Sequence, residues 1–307
     1  MDILKPIAVD NWHGEINNET AQEALHALEH GKIVFLPQLN FTLSADENSL
    51  LSPALTDPKR KNISFNPRSG KTSGALGSIL QQVQLKNLLH RYHQHTLALI
   101  NSLFPSYQKH LTAGRTSLRT VEIAGRSSSY KKDDSRLHVD SFAATPVNGL
   151  RILRVFSNVN PHGVARIWQT GEPFSTVAKR FLPEIPSMSA VEQRLLHLFK
   201  ITKTPRSLYD HFMLNIHNRM KKSIAYQQSV IKTTLSLPPK SSWIVYTDQV
   251  SHAAISGQHV LEQTFYLSPT AMHYPETTPL FVLEEMLKHS LIIKNKEMTP
   301  SIAEEEY

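Results

Sequence analysis

This sequence predicts a β-rich α+β fold in which one sheet system is interrupted by a helical excursion. Three observations carry that reading. Short apolar runs with strand-like patterning fill residues 117–170 and return over 242–267, while the stretch between them is mostly helix-like. Eighteen prolines and 11 glycines punctuate the chain, as β architecture with long connections requires. No repeat, low-complexity tract or composition shift marks a linker, so residues 1–307 are expected to form a single domain.

Taken in order, Thr20–His30 (TAQEALHALEH) reads as an amphipathic helix closed by Gly31, and Lys32–Pro37 (KIVFLP) as a buried strand. Asn40–Gly74 is loop-like, rich in Ser, Asn, Asp, Pro and Gly. A long helix is predicted from Leu76 to Phe104: Leu85, Leu88, Leu89, Tyr92, Leu99 and Leu103 form its stripe, and Pro105 stops it. Strands follow at SLRTVEIAG and, after a polar loop, at LHVDSF. GLRILRVFSNV and GVARIWQTG are then predicted to pair as a hairpin through Asn160–Gly163. The excursion, about residues 175–234, is broken by Pro183, Pro186 and Pro205 and is placed between the fifth and sixth core strands. SSWIVYTDQ, SHAAISG and HVLEQTFYLS complete the strands. Leu280–Ile293 is expected to dock as a helix, and an acidic tail, Glu304–Glu306, follows.

Composition narrows the chemistry. With 40% hydrophobic and 19% charged residues the chain can bury a proper core, which excludes global disorder. Zero cysteine excludes disulfides, thiolate zinc, iron–sulfur clusters and a cysteine nucleophile, so any metal must be held by nitrogen and oxygen. The net charge of +7 favours an anionic partner. Neither an apolar stretch of signal-peptide length at the N-terminus nor a run of the ~18 apolar residues that cross a bilayer is present, and the expectation is a soluble, cytoplasmic protein.

The candidate metal site is His138-Val139-Asp140 with a distant His252. Residues two apart on a strand share a face, so His138 and Asp140 can offer a nitrogen and a carboxylate to one ion. A third nitrogen from another strand completes a facial triad, the donor set of non-haem Fe(II) centres that bind a co-substrate and oxygen together. Chance alone supplies about half a His-x-Asp in a chain of this composition, so the context matters: the motif lies between a polar loop and the predicted hairpin, and His252 follows the strand SSWIVYTDQ. Double-stranded β-helix oxygenases place their third ligand in that setting.

At this point the sequence resembles the Kdo hydroxylase family, Fe(II)/2-oxoglutarate-dependent enzymes acting on 3-deoxy-D-manno-octulosonic acid in lipopolysaccharide. The resemblance is carried by GKIVFLP, LHVDSFAATPVNGLRILRVFSNVNP, RIWQTGEPF with FLP after it, SLYDHFMLNIH, and SWIVYTDQVSHAAISGQHVLEQTFYL, across roughly residues 31–270. It implies a double-stranded β-helix (jelly-roll, cupin-like) core with flanking helices, and iron held by His138, Asp140 and His252. It further implies 2-oxoglutarate and O2 as co-substrates and hydroxylation of Kdo at C3 to Ko on Kdo-bearing lipid A.

Many 2-oxoglutarate enzymes clamp the C5 carboxylate with an arginine about ten to fourteen residues after the distal histidine. Here that stretch is Glu262–Tyr266 and holds no cation. Arg154 and Arg166, placed opposite one another on the predicted hairpin, are the favoured clamp; Arg119 and Arg151 are further candidates, the latter for substrate. Trp168, two residues beyond Arg166, would wall the pocket. The basic loop carrying Lys59, Arg60, Lys61 and Arg68 suits a phosphorylated, carboxylated glycolipid or the anionic inner-membrane surface, giving peripheral contact on its cytoplasmic face. Neither nucleic acid nor an obligate protein partner is expected. Two alternatives stand beside this reading: a related oxygenase acting on another small-molecule or lipid substrate, and a non-catalytic β-sandwich binding an anionic ligand.

Overall fold

Side-chain caps set where most of the helices begin. Asn17 accepts from the Thr20 amide and starts α1 (Asn18–Glu29), and reciprocal capping boxes, Ser44 with Glu47 and Ser78 with Gln81, start α2 (Ala45–Ser49) and α3 (Ile79–Leu103). After α4 (Phe174–Phe181), a third box, Ser207 with Asp210, starts α5 (Leu208–Lys222), followed by α6 (Ile224–Ser229) and α7 (Pro279–Leu287). The computed structural model describes residues 2–125, 129–186, 188 and 206–293. The excursion between 187 and 205, apart from 188, and the acidic tail Glu304–Glu306 lie outside the described residues.

The strands divide between two sheets. Seven come before the excursion's helices: β1 (Leu4–Pro6), β2 (Ile33–Leu36), β3 (Ile63–Phe65), β4 (Thr72–Ser73), β5 (Leu111–Arg119), β6 (Arg151–Asn158) and β7 (Arg166–Thr170). β8 (Thr233–Leu237), β9 (Ser242–Tyr246), β10 (His252–Ser256) and β11 (Val260–Leu267) follow it. The major sheet runs β1-β2-β9-β6-β11-β5-β3-β4 and the minor sheet β10-β7-β8. Residues 137–140 join the free edge of β10 through a single bridge, His138 to His252. From β5 onward the chain visits major, minor, major, minor, minor, major, minor and major sheet in turn, which is the jelly-roll path.

Three cores follow from this layering. Aliphatic and aromatic side chains of α1 and α3 cover the outer face of the major sheet, with Leu25, Leu28, Leu88, Tyr92 and Leu99 against Val155, Leu153 and Phe265. α4, α5 and α7 cover the outer face of the minor sheet, using Val177, Phe212, Met213 and Leu283. Between the sheets Phe156, Trp168, Leu235, Leu237, Trp243 and Val245 fill one end. There Phe156 stacks on Trp243 at 5.2 Å and Trp168 meets both edge-on.

Two expectations need correction. GLRILRVFSNV and GVARIWQTG are not a hairpin: β6 has both edges occupied, by β9 and β11, so the chain crosses to the other sheet and β7 pairs with β8 and β10. The excursion lies between β7 and β8, hence between the fourth and fifth jelly-roll strands. The return strand β8 has the burial pattern of a one-sided strand and was hidden at the end of the helix-like stretch.

Candidate active site

At the other end of the space between the sheets is a cavity of about 310 Å³. His138, Asp140 and His252 lie at its wall, all buried, with one potential ligand atom from each within 4.8 Å of the others. The local chain explains the arrangement. His138 and His252 exchange backbone hydrogen bonds (3.0 and 2.8 Å), which sets their rings 4.6 Å apart, and the Asp140 amide donates to the Thr247 carbonyl at 2.8 Å. Asp140 Oδ1 then sits 3.5 Å from His138 Nε2.

Each histidine is fixed by the carbonyl two residues before it. His138 Nδ1 is 2.8 Å from the Arg136 oxygen and His252 Nδ1 is 2.8 Å from the Val250 oxygen. A carbonyl can only accept, so each Nδ1 carries the proton and each Nε2 presents a lone pair. Burial, then the neighbouring His138, pushes the His252 pKa down to about 4, which leaves that ring neutral near pH 7. Burial alone would raise Asp140, but Arg154, with its guanidinium 3.2 Å away, and the two histidines hold the carboxyl well below its usual range. Two imidazole nitrogens and one carboxylate are donors that suit a divalent metal, so these residues fit such an ion. Trp168 stacks on the His252 ring at 5.2 Å and fixes its plane.

The rest of the cavity is cationic, with two embedded carboxylates. Arg154 (β6) and Arg119 (β5) both bind Glu262 of β11, at 2.5 and 2.8 Å. Arg166 enters from the minor sheet, so it confronts Arg154 across the gap between the sheets instead of along one. Its Nη1 donates to the Gly257 carbonyl at 2.5 Å, its Nε has no partner, and among the described residues no carboxylate lies within ion-pair distance of it. Gly257 makes that approach possible: its φ is +102°, and a Cβ there would stand 3.0 Å from the Ala165 oxygen and 3.1 Å from Arg166 Cα. Elsewhere along the wall Asp134 gathers Lys61 (2.9 Å), Arg119 (3.6 Å) and Lys221 (3.6 Å). His217 of α5 turns its ring to His138 at 5.2 Å, with Nδ1 2.7 Å from the Val139 oxygen.

Arg119, Arg154, Arg166, Trp168 and Lys61 therefore line one cavity with the metal-type triad. Arg151 does not. It is fully buried elsewhere, bound to Asp248 and Gln249 at 2.7 Å each and lying over the Tyr246 ring at 3.9 Å, so it is a packing arginine and not a substrate contact. Lys59, Arg60 and Arg68 lie outside the cavity lining, Lys59 and Arg68 exposed and Arg60 half-buried. Sequence reasoning treated Glu262 only as the absence of a cation and left Asp134 and Lys221 unremarked. The signal for Glu262 was its place on a continuously buried strand, where a carboxylate must find cations.

Jelly roll and triad together define the class: a protein with a two-histidine, one-carboxylate facial site inside a double-stranded β-helix. The family model for 3-deoxy-D-manno-oct-2-ulosonic acid (Kdo) hydroxylase matches residues 11–290, and the chain belongs to that family. It is similar to crystal structures of the Kdo hydroxylase KdoO, a non-haem Fe(II) α-ketoglutarate-dependent dioxygenase. The complex with α-ketoglutarate and Fe(III) is 42% identical, with a TM-score of 0.91 over 96% of this chain and 99% of that one. The cobalt(II) complex gives 42% and 0.92 over the same shares. No curated protein matches the chain.

Proposed function

We propose that this chain hydroxylates Kdo at C3, giving Ko, on Kdo-bearing lipid A at the cytoplasmic face of a bacterial inner membrane, with Fe(II), 2-oxoglutarate and O2. The observation that carries the reading is a buried His138–Asp140–His252 group sharing a cavity with Arg166, a buried cation that lacks a carboxylate partner among the described residues, in a member of this family. Bound iron would activate O2, the oxidant, with one oxygen atom going to the C–H bond and the other to 2-oxoglutarate, which supplies two electrons and leaves as succinate and CO2. The residues bind, orient and exclude water. His138, Asp140 and His252 would hold the metal. Arg166 would take the distal carboxylate of 2-oxoglutarate, flanked by Arg154 and Arg119, whose shared Glu262 keeps the excess positive charge in check. Trp168 would wall the co-substrate on one side. Lys61, Lys131, Lys132 and Lys221 line the remaining cavity and suit an acidic sugar.

Purified protein incubated with Fe(II), 2-oxoglutarate, air and a Kdo-bearing lipid A precursor should add one oxygen atom to the Kdo, read by mass spectrometry. Absence of that product, from protein that still gives a visible charge-transfer band with Fe(II) and 2-oxoglutarate under anaerobic conditions, would move the assignment to another substrate. Absence of both would remove the oxygenase reading.

A further inference from the structure

The first turns of α3 bury no apolar side chain. Its inward stripe begins only at Leu85 and continues through Leu88, Leu89 and Tyr92. Ahead of it lies a second apolar stripe that faces water: Leu76 is 43% exposed, Ile79 84%, Leu80 68% and Val83 48%. Ile79, Leu80 and Val83 share one side of the first helical turns, and Leu76 lies just ahead of the N-cap Ser78. Single exposed aliphatics need no explanation, but four gathered at one helix start do.

The charge around this stripe is one-sided. From Pro58 to His90 the chain carries Lys59, Arg60, Lys61, Arg68, Lys71 and Lys86 and no Asp or Glu. Lys61 turns inward to Asp134, whereas Lys59, Arg68, Lys71 and Lys86 stand on the exposed surface. The patch is also tied to the cavity rim. The Leu76 amide donates to the Leu55 carbonyl at 2.8 Å, Thr56 bridges Ala75, and Asp57 bonds the Gly74 carbonyl at 3.0 Å. From there four residues lead to Lys61 and Asn62, which line the cavity.

We propose that the start of α3, with the basic loop before it, is the surface by which this protein docks on an anionic lipid bilayer: Ile79, Leu80, Val83 and Leu76 enter the acyl boundary while the cations meet headgroups. An apolar face with the exposed cations Lys59, Arg68, Lys71 and Lys86 on the same stretch of chain is complementary to that phase, where each lysine or arginine near an anionic surface raises the partition coefficient about fivefold. Docked this way, the cavity rim at Lys61 stands next to the headgroup layer. Only this last step, the purpose of docking, rests on the function proposed above.

Sedimentation with vesicles tests it without turnover. The full chain should bind vesicles of phosphatidylcholine with 30% phosphatidylglycerol (a composition chosen for the assay, on the order of natural anionic content) and bind pure phosphatidylcholine far less. The exposed substitutions Ile79→Ser and Leu80→Ser, made together, should lower the anionic partition coefficient at least tenfold per residue. Lys59→Ser with Arg68→Ser should lower it roughly 25-fold. Unfolding temperature and 2-oxoglutarate binding should stay unchanged, and Ile231→Ser, at an exposed aliphatic of the excursion, should leave vesicle binding intact. Equal binding by wild type and the double variants overturns the proposal. So does a wild type that ignores anionic vesicles, including the case where sedimentation reveals a self-associated chain dispersed by the Ile79/Leu80 variant. Oxygen insertion into a delipidated Kdo acceptor is read separately, so docking and function fail independently.

Discussion

Replacing Arg166 with methionine should separate ligand binding from folding by moving them in opposite directions. Arg166 is buried and, among the described residues, its hydrogen bond is to the Gly257 carbonyl. Burial, and then the nearby Arg119, push its pKa from the ordinary arginine value down to about 9. A cation whose folded pKa is lowered works against folding at every pH below about 9, and that penalty fades only as the pH rises above 9 towards the ordinary arginine value. The drop corresponds to a ceiling of about 5 kcal/mol. Methionine removes the penalty but strands the Gly257 oxygen, at about 1–2 kcal/mol. The ligand-free variant should therefore be as stable as wild type or more so, by about 1–3 kcal/mol, a rise of a few degrees in a chain of this size. If Arg166 receives the 2-oxoglutarate carboxylate, the same change forfeits a charge-assisted bond of about 1.5–3 kcal/mol, or roughly 10- to 150-fold in affinity. Thermal melts with and without 2-oxoglutarate at fixed metal read both terms, since the ligand-induced shift follows RT ln(1 + [L]/Kd). A lowered melting temperature with an undiminished 2-oxoglutarate shift would falsify the reasoning and make Arg166 a structural residue.

Other expectations follow the same geometry. Gly257→Ala deletes no polar atom, yet its methyl would press on Ala165 and Arg166 from a left-handed backbone; it should cost about 1–3 kcal/mol and raise the 2-oxoglutarate requirement, measured by titration of turnover. Arg151→Met leaves Asp248 charged and buried and should destabilise by about 3–5 kcal/mol in denaturant melts, while 2-oxoglutarate affinity in the folded fraction is unchanged. Asp134→Asn probes the cation cluster through pH. Burial would raise Asp134, but Lys61, Arg119 and Lys221 hold its carboxyl far below the usual range, so its stabilisation is complete above about pH 4 and lost as the pH falls further. The stability gap between wild type and Asp134→Asn should be widest at neutral pH and close in acid; a gap that widens in acid would contradict the assigned direction.

Much of the fold was legible because its signals are local. Capping residues, the Leu85–Leu103 stripe and the alternating runs each announce themselves within a dozen residues, and six of the strands fall where the runs predicted. What escaped depends on partners remote in sequence. β6 and β7 look like a hairpin by every local rule, and only the occupation of both β6 edges by β9 and β11 sends β7 to the other sheet. β8 is short and half exposed, so its alternation was lost beside a helix. His138 and Asp140 share a site although their segment forms one bridge instead of a regular strand. Arg151 shows the limit from the other side: an inward arginine near the motif has the composition of a ligand contact, and only the position of Asp248, 97 residues away, reveals a packing role.

The stack of Trp168 on His252 has an optical consequence. The chain has three tryptophans: Trp12 packs with Phe41 and Tyr92 under the major sheet, Trp243 lies among the inter-sheet aromatics, and Trp168 is in face contact with His252 of the triad. Loading the site with an open-shell cation such as Co(II) should quench Trp168 emission preferentially, leaving Trp12 as a steady background. The protein thus carries its own fluorescent gauge of metal occupancy, legible without label or turnover.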